Sequence, residues 1–323
     1  MRANNLQAIT VIQDVHTGSL LAFAASQPSV LDVKTSLRPL SLSKLLLAAS
    51  WWDHRQPDAS FDRLREADVR SPADRERISI QEMLVGGSDN AGREMAVALR
   101  RSVGTQAVLE DLRRYGFNLR ANARQDDRFW EELSPSLTTR LITLAPTYVS
   151  LSKETSDADW AEALSLGEAE FNVTALHISR FLQAVGNDGM MLGPVALEEQ
   201  VTSSTKQRRQ PQSSTRIMEP GTARRLQSAM LDCVRRGTAK GIAQALKDTG
   251  WQIGGKTGSG PALLPKGAQV DGWFAGLIFD PQGKARFTVA TFVRSGGNGG
   301  GNAAKISAEL SRYIIGEQGV SSR

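Results

Sequence analysis

The sequence predicts an α+β fold: one antiparallel sheet built from both ends of the chain, with flanking helices and a mainly helical insertion. Three observations carry this. Residues 6–25 read as strand, turn and strand; three more strand patterns follow one another between 251 and 294; and helical periodicity dominates what lies between. The implied division is a discontinuous sheet part, 1–35 with 218–323, and a mainly helical part, 36–217.

Taken in order, residues 6–14 are apolar and β-branched, Val-His-Thr-Gly turns at Gly18, and Ser19–Ala25 returns, which makes a hairpin. His16, in that turn, reads as a surface histidine. Ser26 to Thr35 reads as a loop. Pro39 suits the lead-in to a helix but not its interior, so the apolar run after it predicts a helix beginning near Ser41. From Trp51 to about Gln200 the pattern is mostly helical. Ile78–Leu84 has helical spacing and stops at Gly86-Gly87; Asn90–Val103 resumes it, with the polar residues between acting as an N-cap. Thr174–Ala184 is a further helix that ends in the turn Gly186-Asn187-Asp188-Gly189. Residues 202–215 are a polar low-complexity tract, expected as a mobile loop. Thr222–Arg236 is a helix in which Cys233 is a packed small residue, and Thr238–Asp248 also looks helical. Strands are expected at Trp251–Ser259, Gly272–Phe279 and Arg286–Arg294, with Asp280-Pro281-Gln282-Gly283 turning between the last two. Trp273 and Phe274 belong to the core. Ala303–Ile315 closes the chain as a helix.

With 323 residues, 40% of them hydrophobic and 23% charged, the chain can bury a large core. The single cysteine excludes an internal disulfide and a multi-cysteine metal site. A net charge of +5 is spread without interleaved aromatic and basic runs, so no nucleic-acid partner is expected. No apolar run reaches the length of a membrane span, and the first residues lack an apolar signal core. The expectation is a soluble chain, attached to a membrane only through a segment outside it.

The chemistry centres on Ser41-Leu-Ser-Lys44. On a helix, residues three apart share a face, so the Ser41 hydroxyl and the Lys44 amine point the same way, whereas Ser43 and Lys44 do not. The apolar run around Lys44 disfavours its charged form and inclines it to act as a base. The unpaired first-turn N–H of Ser41 can hold an oxyanion. Serine, base and oxyanion donor are the parts of an acyl-transfer site. The same four-residue pattern recurs at Ser150…Lys153 and Ser203…Lys206, but in polar surroundings that cannot bury a lysine. Residues 250–257, Gly-Trp-Gln-Ile-Gly-Gly-Lys-Thr, match the letters of a phosphate loop. That loop must follow a strand and open a helix, and here the order is reversed. As a strand, Lys256-Thr257-Gly258-Ser259 instead offers a cation and hydroxyls at a strand edge, suited to a carboxylate, with Gly258 admitting a substrate backbone.

Ser-x-x-Lys at 41–44, Ser-Asp-Asn at 88–90 and Lys-Thr-Gly at 256–258, in that order, resemble the serine penicillin-recognising superfamily of transpeptidases and class A β-lactamases. Asp14-Val-His-Thr-Gly-Ser-Leu-Leu-Ala, Gly167-Glu-Ala-Glu-Phe-Asn-Val-Thr-Ala-Leu, Val234-Arg-Arg-Gly-Thr-Ala and Gly272-Trp-Phe-Ala-Gly are similar to segments of its penicillin-binding branch. The resemblance implies a β-lactamase/transpeptidase-like fold that forms one catalytic domain and needs no cofactor or metal. It implies Ser41 as the acylated nucleophile, Lys44 as its base, Ser88 as a proton relay and Asn90 as a holder of the substrate amide. Lys256, Thr257 and Ser259 would bind the substrate carboxylate beside Gly258, and the N–H groups of Ser41 and Ser259 would form the oxyanion hole. The implied activity is that of a D,D-transpeptidase, or a D,D-carboxypeptidase, on peptidoglycan stem peptides, inhibited by β-lactams. The location is extracytoplasmic, beside other cell-wall synthesis proteins. A serine β-lactamase, which needs a deacylating glutamate, and a non-catalytic sensor are the alternatives; Glu168 and Glu170 lie in a segment that instead resembles transpeptidases. Three features depart from the family pattern: Pro39-Leu40 stands where Pro-Gly is usual, Ser259 where threonine is commoner, and the spacer before Ser41 is short.

Overall fold

The computed structural model describes residues 6–26, 31, 35–63, 76–117, 148–149, 151–168, 171–193, 199–201, 206–208, 214–262 and 269–321. Its centre is a five-stranded antiparallel sheet. Strands β1 (Gln7–Asp14) and β2 (Leu20–Ala25) come from the N-terminal end, and three long strands come from the other: Gln252–Pro261, Val270–Phe279 and Ala285–Arg294. β1 joins the last of these in register from Gln7↔Arg294 to Asp14↔Phe287, which closes one sheet from the two ends, as the sequence predicts. Gln252–Pro261 is left at one edge and β2 at the other.

Between the halves of the sheet lie α1 (Ser43–Asp53), the hairpin β3 (Ser60–Arg63) and β4 (Glu76–Ser79), then α2 (Ile80–Gly86), α3 (Asp89–Val103) and α4 (Thr105–Arg114). The short pair β5 (Tyr148–Val149) and β6 (Phe171–Asn172) brackets α5 (Asp157–Ala161) and a π-helical turn, Glu162–Leu166. There follow α6 (Ala175–Gly186), β7 (Met190–Leu192), β8 (Glu199–Val201), β9 (Lys206–Arg208), β10 (Ser214–Arg216) and α7 (Pro220–Arg236). The three long strands are β11, β12 and β13 in that order, and α8 (Asn302–Ser321) ends the described chain.

Period-two alternation makes the sheet two-sided. On β12, Trp273, Ala275, Leu277 and Phe279 enter the larger core with residues of α1, α2, α3, α6 and α7. Phe274 and Ile278 enter a second core with Ala303, Ala304 and Ala308 of α8. Because both faces are covered, β12 is buried at nine of its ten positions and reads as a continuous apolar run. Trp273 and Phe274 are fully buried, as expected for core residues, and so is Cys233, whose thiol donates to the Leu84 carbonyl.

Several expectations are corrected. Among the described residues from Trp51 to Gln200 helix predominates, as expected, but the stretch also carries the β3–β4 hairpin and further short strands. Ile78 and Ser79 belong to β4. Ser79 takes extended dihedrals and accepts the Glu82 N–H as an N-cap, so the helix begins one residue later. Thr238–Asp248 is not one helix but contains two short 3₁₀ turns, Lys240–Ile242 and Lys247–Thr249. The tract 202–215 is strand at 206–208 and 214–216; the rest of it, and most of the expected 26–35 loop, lie outside the described residues.

Candidate active site

The lead-in to α1 is fixed at both flanks. Leu37 bridges Val173 through paired backbone bonds of 2.8 and 2.7 Å. The Trp273 indole donates to the Arg38 carbonyl at 2.8 Å, and Arg38 donates to the Pro261 carbonyl at the end of β11. Leu40, next in line, has φ of 54°, a left-handed conformation rarely adopted by a branched side chain. Its side chain rests on β11: a Cβ added at Gly258 would lie 3.2 Å from Leu40 Cβ, and one at Gly260 would lie 2.6 Å from Leu40 Cδ2. On that face, the backbone admitted by Gly258 is the chain's own, including the Pro39 carbonyl. Leu40 therefore holds a dihedral that glycine adopts more readily, and its side chain fills the space above two glycines of β11.

Ser41 lies in a 3₁₀ turn, Leu40–Leu42, that runs into α1. Lys44 Nζ donates to Ser41 Oγ at 2.9 Å, the pairing that the spacing predicts. Ser43 turns away and donates to the Leu40 carbonyl. Lys44 is fully buried, and burial is the chief cause that draws its amine down to about 8. Lys256 and Arg93 pull the same way, while Asp89 opposes them. Gly92 of α3 makes room for this chain, since a Cβ there would meet Lys44 Cε at 2.9 Å.

The Ser-Asp-Asn triplet sits at the start of α3. Ser88 caps the helix, its hydroxyl accepting the Ala91 N–H at 3.4 Å. The member that reaches α1 is Asp89, which sequence reasoning passed over: its Oδ1 accepts from Lys44 Nζ at 2.7 Å. Ser88 and Asn90 are half-buried beside it. The sequence carries no local mark of this contact, which depends on how α3 lies against α1.

On β11, Lys256 and Thr257 do not project from an open edge as expected; both are buried. Lys256 Nζ donates to the Thr257 carbonyl at 2.8 Å and lies beside the Gly87 turn, where an added Cβ would be 3.8 Å away. Burial holds this lysine below its usual range as well. Thr257 donates to the Thr238 hydroxyl at 2.6 Å. Ser259 is exposed, and its Oγ accepts the Gly299 N–H at 2.9 Å. Lys256 thus lies by the turn that leads to Ser88, and Lys44 ties Ser41 to Asp89, so the three motifs meet. At the decoy site, Lys153 is exposed with its carbonyl taken by Arg100, and Ser150 is outside the described residues. Ser203 is outside them too.

A family model described as the penicillin-binding protein transpeptidase domain matches residues 144–313, just over half of the chain and inclusive of Lys256–Ser259. No curated protein matches the chain by sequence. Among solved structures, a peptidoglycan synthetase from Bifidobacterium adolescentis superposes with a TM-score of 0.73 at 15% identity, covering 97% of this chain and 56% of its own. Penicillin-binding protein 3 from Mycobacterium tuberculosis, complexed with aztreonam, gives 0.69 at 18% identity, with 97% and 73% covered. The D,D-transpeptidase domain of a peptidoglycan glycosyltransferase from Eggerthella lenta gives 0.71 at 17%, with 96% and 78% covered. The chain therefore spans little more than half the length of the first of these and about three quarters of the others. These likenesses extend the fold across the N-terminal residues that the family model leaves out. By the match over 144–313, the chain belongs to the penicillin-binding protein transpeptidase domain family.

Proposed function

We propose that the chain is a D,D-transpeptidase acting on peptidoglycan stem peptides through an acyl-enzyme at Ser41, and that β-lactams acylate the same serine. One observation carries this reading: a fully buried lysine, drawn down to about 8, donates to the hydroxyl of a serine at a helix start, at 2.9 Å. In its neutral form Lys44 takes the Ser41 proton as Oγ attacks the penultimate carbonyl of the stem. The N–H groups of Ser41 and Ser259 hold the oxyanion. The peptide C–N bond then breaks, and the proton passes, with Ser88 as relay, to the departing D-alanine amine. An amine of a second stem attacks the ester and frees Ser41. Lys256, Thr257 and Ser259 hold the substrate carboxylate, and Asn90 holds its amide. The sheet part, 1–35 with 218–323, and the helical part, 36–217, together form this catalytic unit. The substrate places it outside the cytoplasm, beside other cell-wall synthesis proteins.

Hydrolytic turnover is the second reading, and Glu168 favours it. Its Oε1 is 3.6 Å from where a Cβ would stand at Gly260, so a carboxylate lies beside β11 near the Ser41 turn. The test is intact mass after brief exposure to benzylpenicillin, with Ser41→Ala alongside. The proposal expects a stable adduct on the wild type alone, together with transfer from a D-Ala-D-Ala thioester to an amine. Hydrolysed drug and rapid nitrocefin turnover without an adduct would establish a β-lactamase. An adduct without transfer or hydrolysis of the thioester would establish a sensor.

A further inference from the structure

Lys44 is one of two buried lysines of the site, and its two polar partners differ in kind. Ser41 Oγ, at 2.9 Å, is the atom that must lose a proton. Asp89 Oδ1, at 2.7 Å, is a carboxylate on another helix, with 54% of its side chain exposed to solvent against none for Lys44. We propose that Asp89 is a positioning residue for the acylation of Ser41: its carboxylate aims the Lys44 ammonium at the Ser41 hydroxyl and sets the pH at which that lysine becomes the base. The inference rests on the reading of Ser41 as nucleophile and Lys44 as base.

The surroundings of Lys44 leave this task to Asp89. From α3, Arg93 also faces it, but is cationic and bonded to Glu162 of the π-helical turn at 2.9 Å. That turn otherwise brings up Ser165, an uncharged buried hydroxyl bordering Gly92. From β11 comes Lys256, another cation. On α2, Glu82 is paired with Arg236 of α7; on α4, Asp111 is bound to Ser50, His54 and Arg114. Also from α7, Asp232 is bound to Gln81 and Arg236, and Arg225 lies over the Trp52 ring. Asp89 is thus the one anion within hydrogen-bond reach of Lys44 among the described residues.

An ammonium cannot accept the Ser41 proton, so one Lys44 proton must first leave, to water past the exposed side of Asp89. The neutral amine then takes the hydroxyl proton as the bond from Oγ to the carbonyl carbon forms. It releases that proton toward the nitrogen whose C–N bond breaks. Asp89 stabilises the charged form against burial and against two cationic neighbours. Removing its charge while keeping its shape leaves burial unopposed and makes the base available at lower pH.

The test follows the Lys44 ¹³Cε resonance against pH in the whole chain, assigned by its loss in Lys44→Met. Beside it, the pH dependence of acylation by benzylpenicillin is measured for the wild type, Asp89→Asn and Asp89→Glu. In Asp89→Asn the Lys44 midpoint should fall by about one pH unit or more, and the pH of half-maximal acylation should fall with it. Asp89→Glu, which keeps a carboxylate, should return both toward the wild type. A Lys44 midpoint unmoved in a folded Asp89→Asn protein, or a midpoint that moves without the acylation profile, overturns the proposal. Absence of any adduct on the wild type would instead defeat the reading of Ser41, while the resonance would still decide whether Asp89 holds the proton on Lys44.

Discussion

Acylation by this site should depend on one proton. If Lys44 is the base proposed above, it acts only when neutral, and burial draws its amine down to about 8, so acylation by benzylpenicillin should climb with pH and level off above that value. Lys44→Ala should slow acylation by about 10²–10⁴-fold and flatten that limb. A stopped-flow profile that keeps its slope in the variant would remove Lys44 from the role of base. This pairing was legible in the sequence, because a spacing of three on a helix and an apolar run are local facts. Asp89 was not, because its contact with Lys44 depends on how α3 lies against α1. The burial of Lys256 was hidden for the same reason: a lysine on an edge strand looks exposed until a turn from another element is seen beside its amine.

Elements were legible where the pattern and its end signals agreed. The opening hairpin, α3, α6, α7 and the three long strands fall where alternation, caps and turns put them. Ile78-Ser79 was misread because a strand that runs straight into a helix has no break, and the cap at Ser79 is the only mark of the change. The least legible element is the Leu40 turn, which no propensity foretells and which depends on Gly167. That glycine has φ of 61°, its carbonyl accepts the Leu40 N–H at 3.4 Å, and an added Cβ would stand 2.3 Å from the Leu40 oxygen. Gly167→Ala should cost about 2–5 kcal/mol, combining a left-handed alanine with overpacking against backbone. It should also slow acylation, since Ser41 is the next residue after Leu40. Urea unfolding reads the first effect and benzylpenicillin labelling the second; a variant as stable and as fast as wild type would show that Gly167 does not hold the turn.

At the scale of the whole molecule, a sheet assembled from both ends was readable because strand patterns cluster at the termini, and the register of β1 on β13 closes it. What the pattern left unsaid is which polar groups the folded chain buries. His177, in the first turn of α6, is buried, with Nδ1 2.8 Å from the Thr174 hydroxyl. Burial draws this imidazole down to about 3, with Arg180 adding to the effect. The folded chain keeps His177 neutral where the unfolded chain protonates it, below an ordinary histidine value of about 6.5. Between those two values the unfolded state binds more protons, so stability falls as pH falls. At pH 4 the difference amounts to about 3 kcal/mol, and near pH 7 it vanishes. His177→Asn, which keeps a group able to meet Thr174, should therefore lose about 3 kcal/mol less than the wild type between pH 7 and pH 4. Urea unfolding at the two pH values measures it. Equal losses in the two proteins would mean that His177 titrates alike in the folded and unfolded chain, and that the acid limb of stability belongs to the carboxylates.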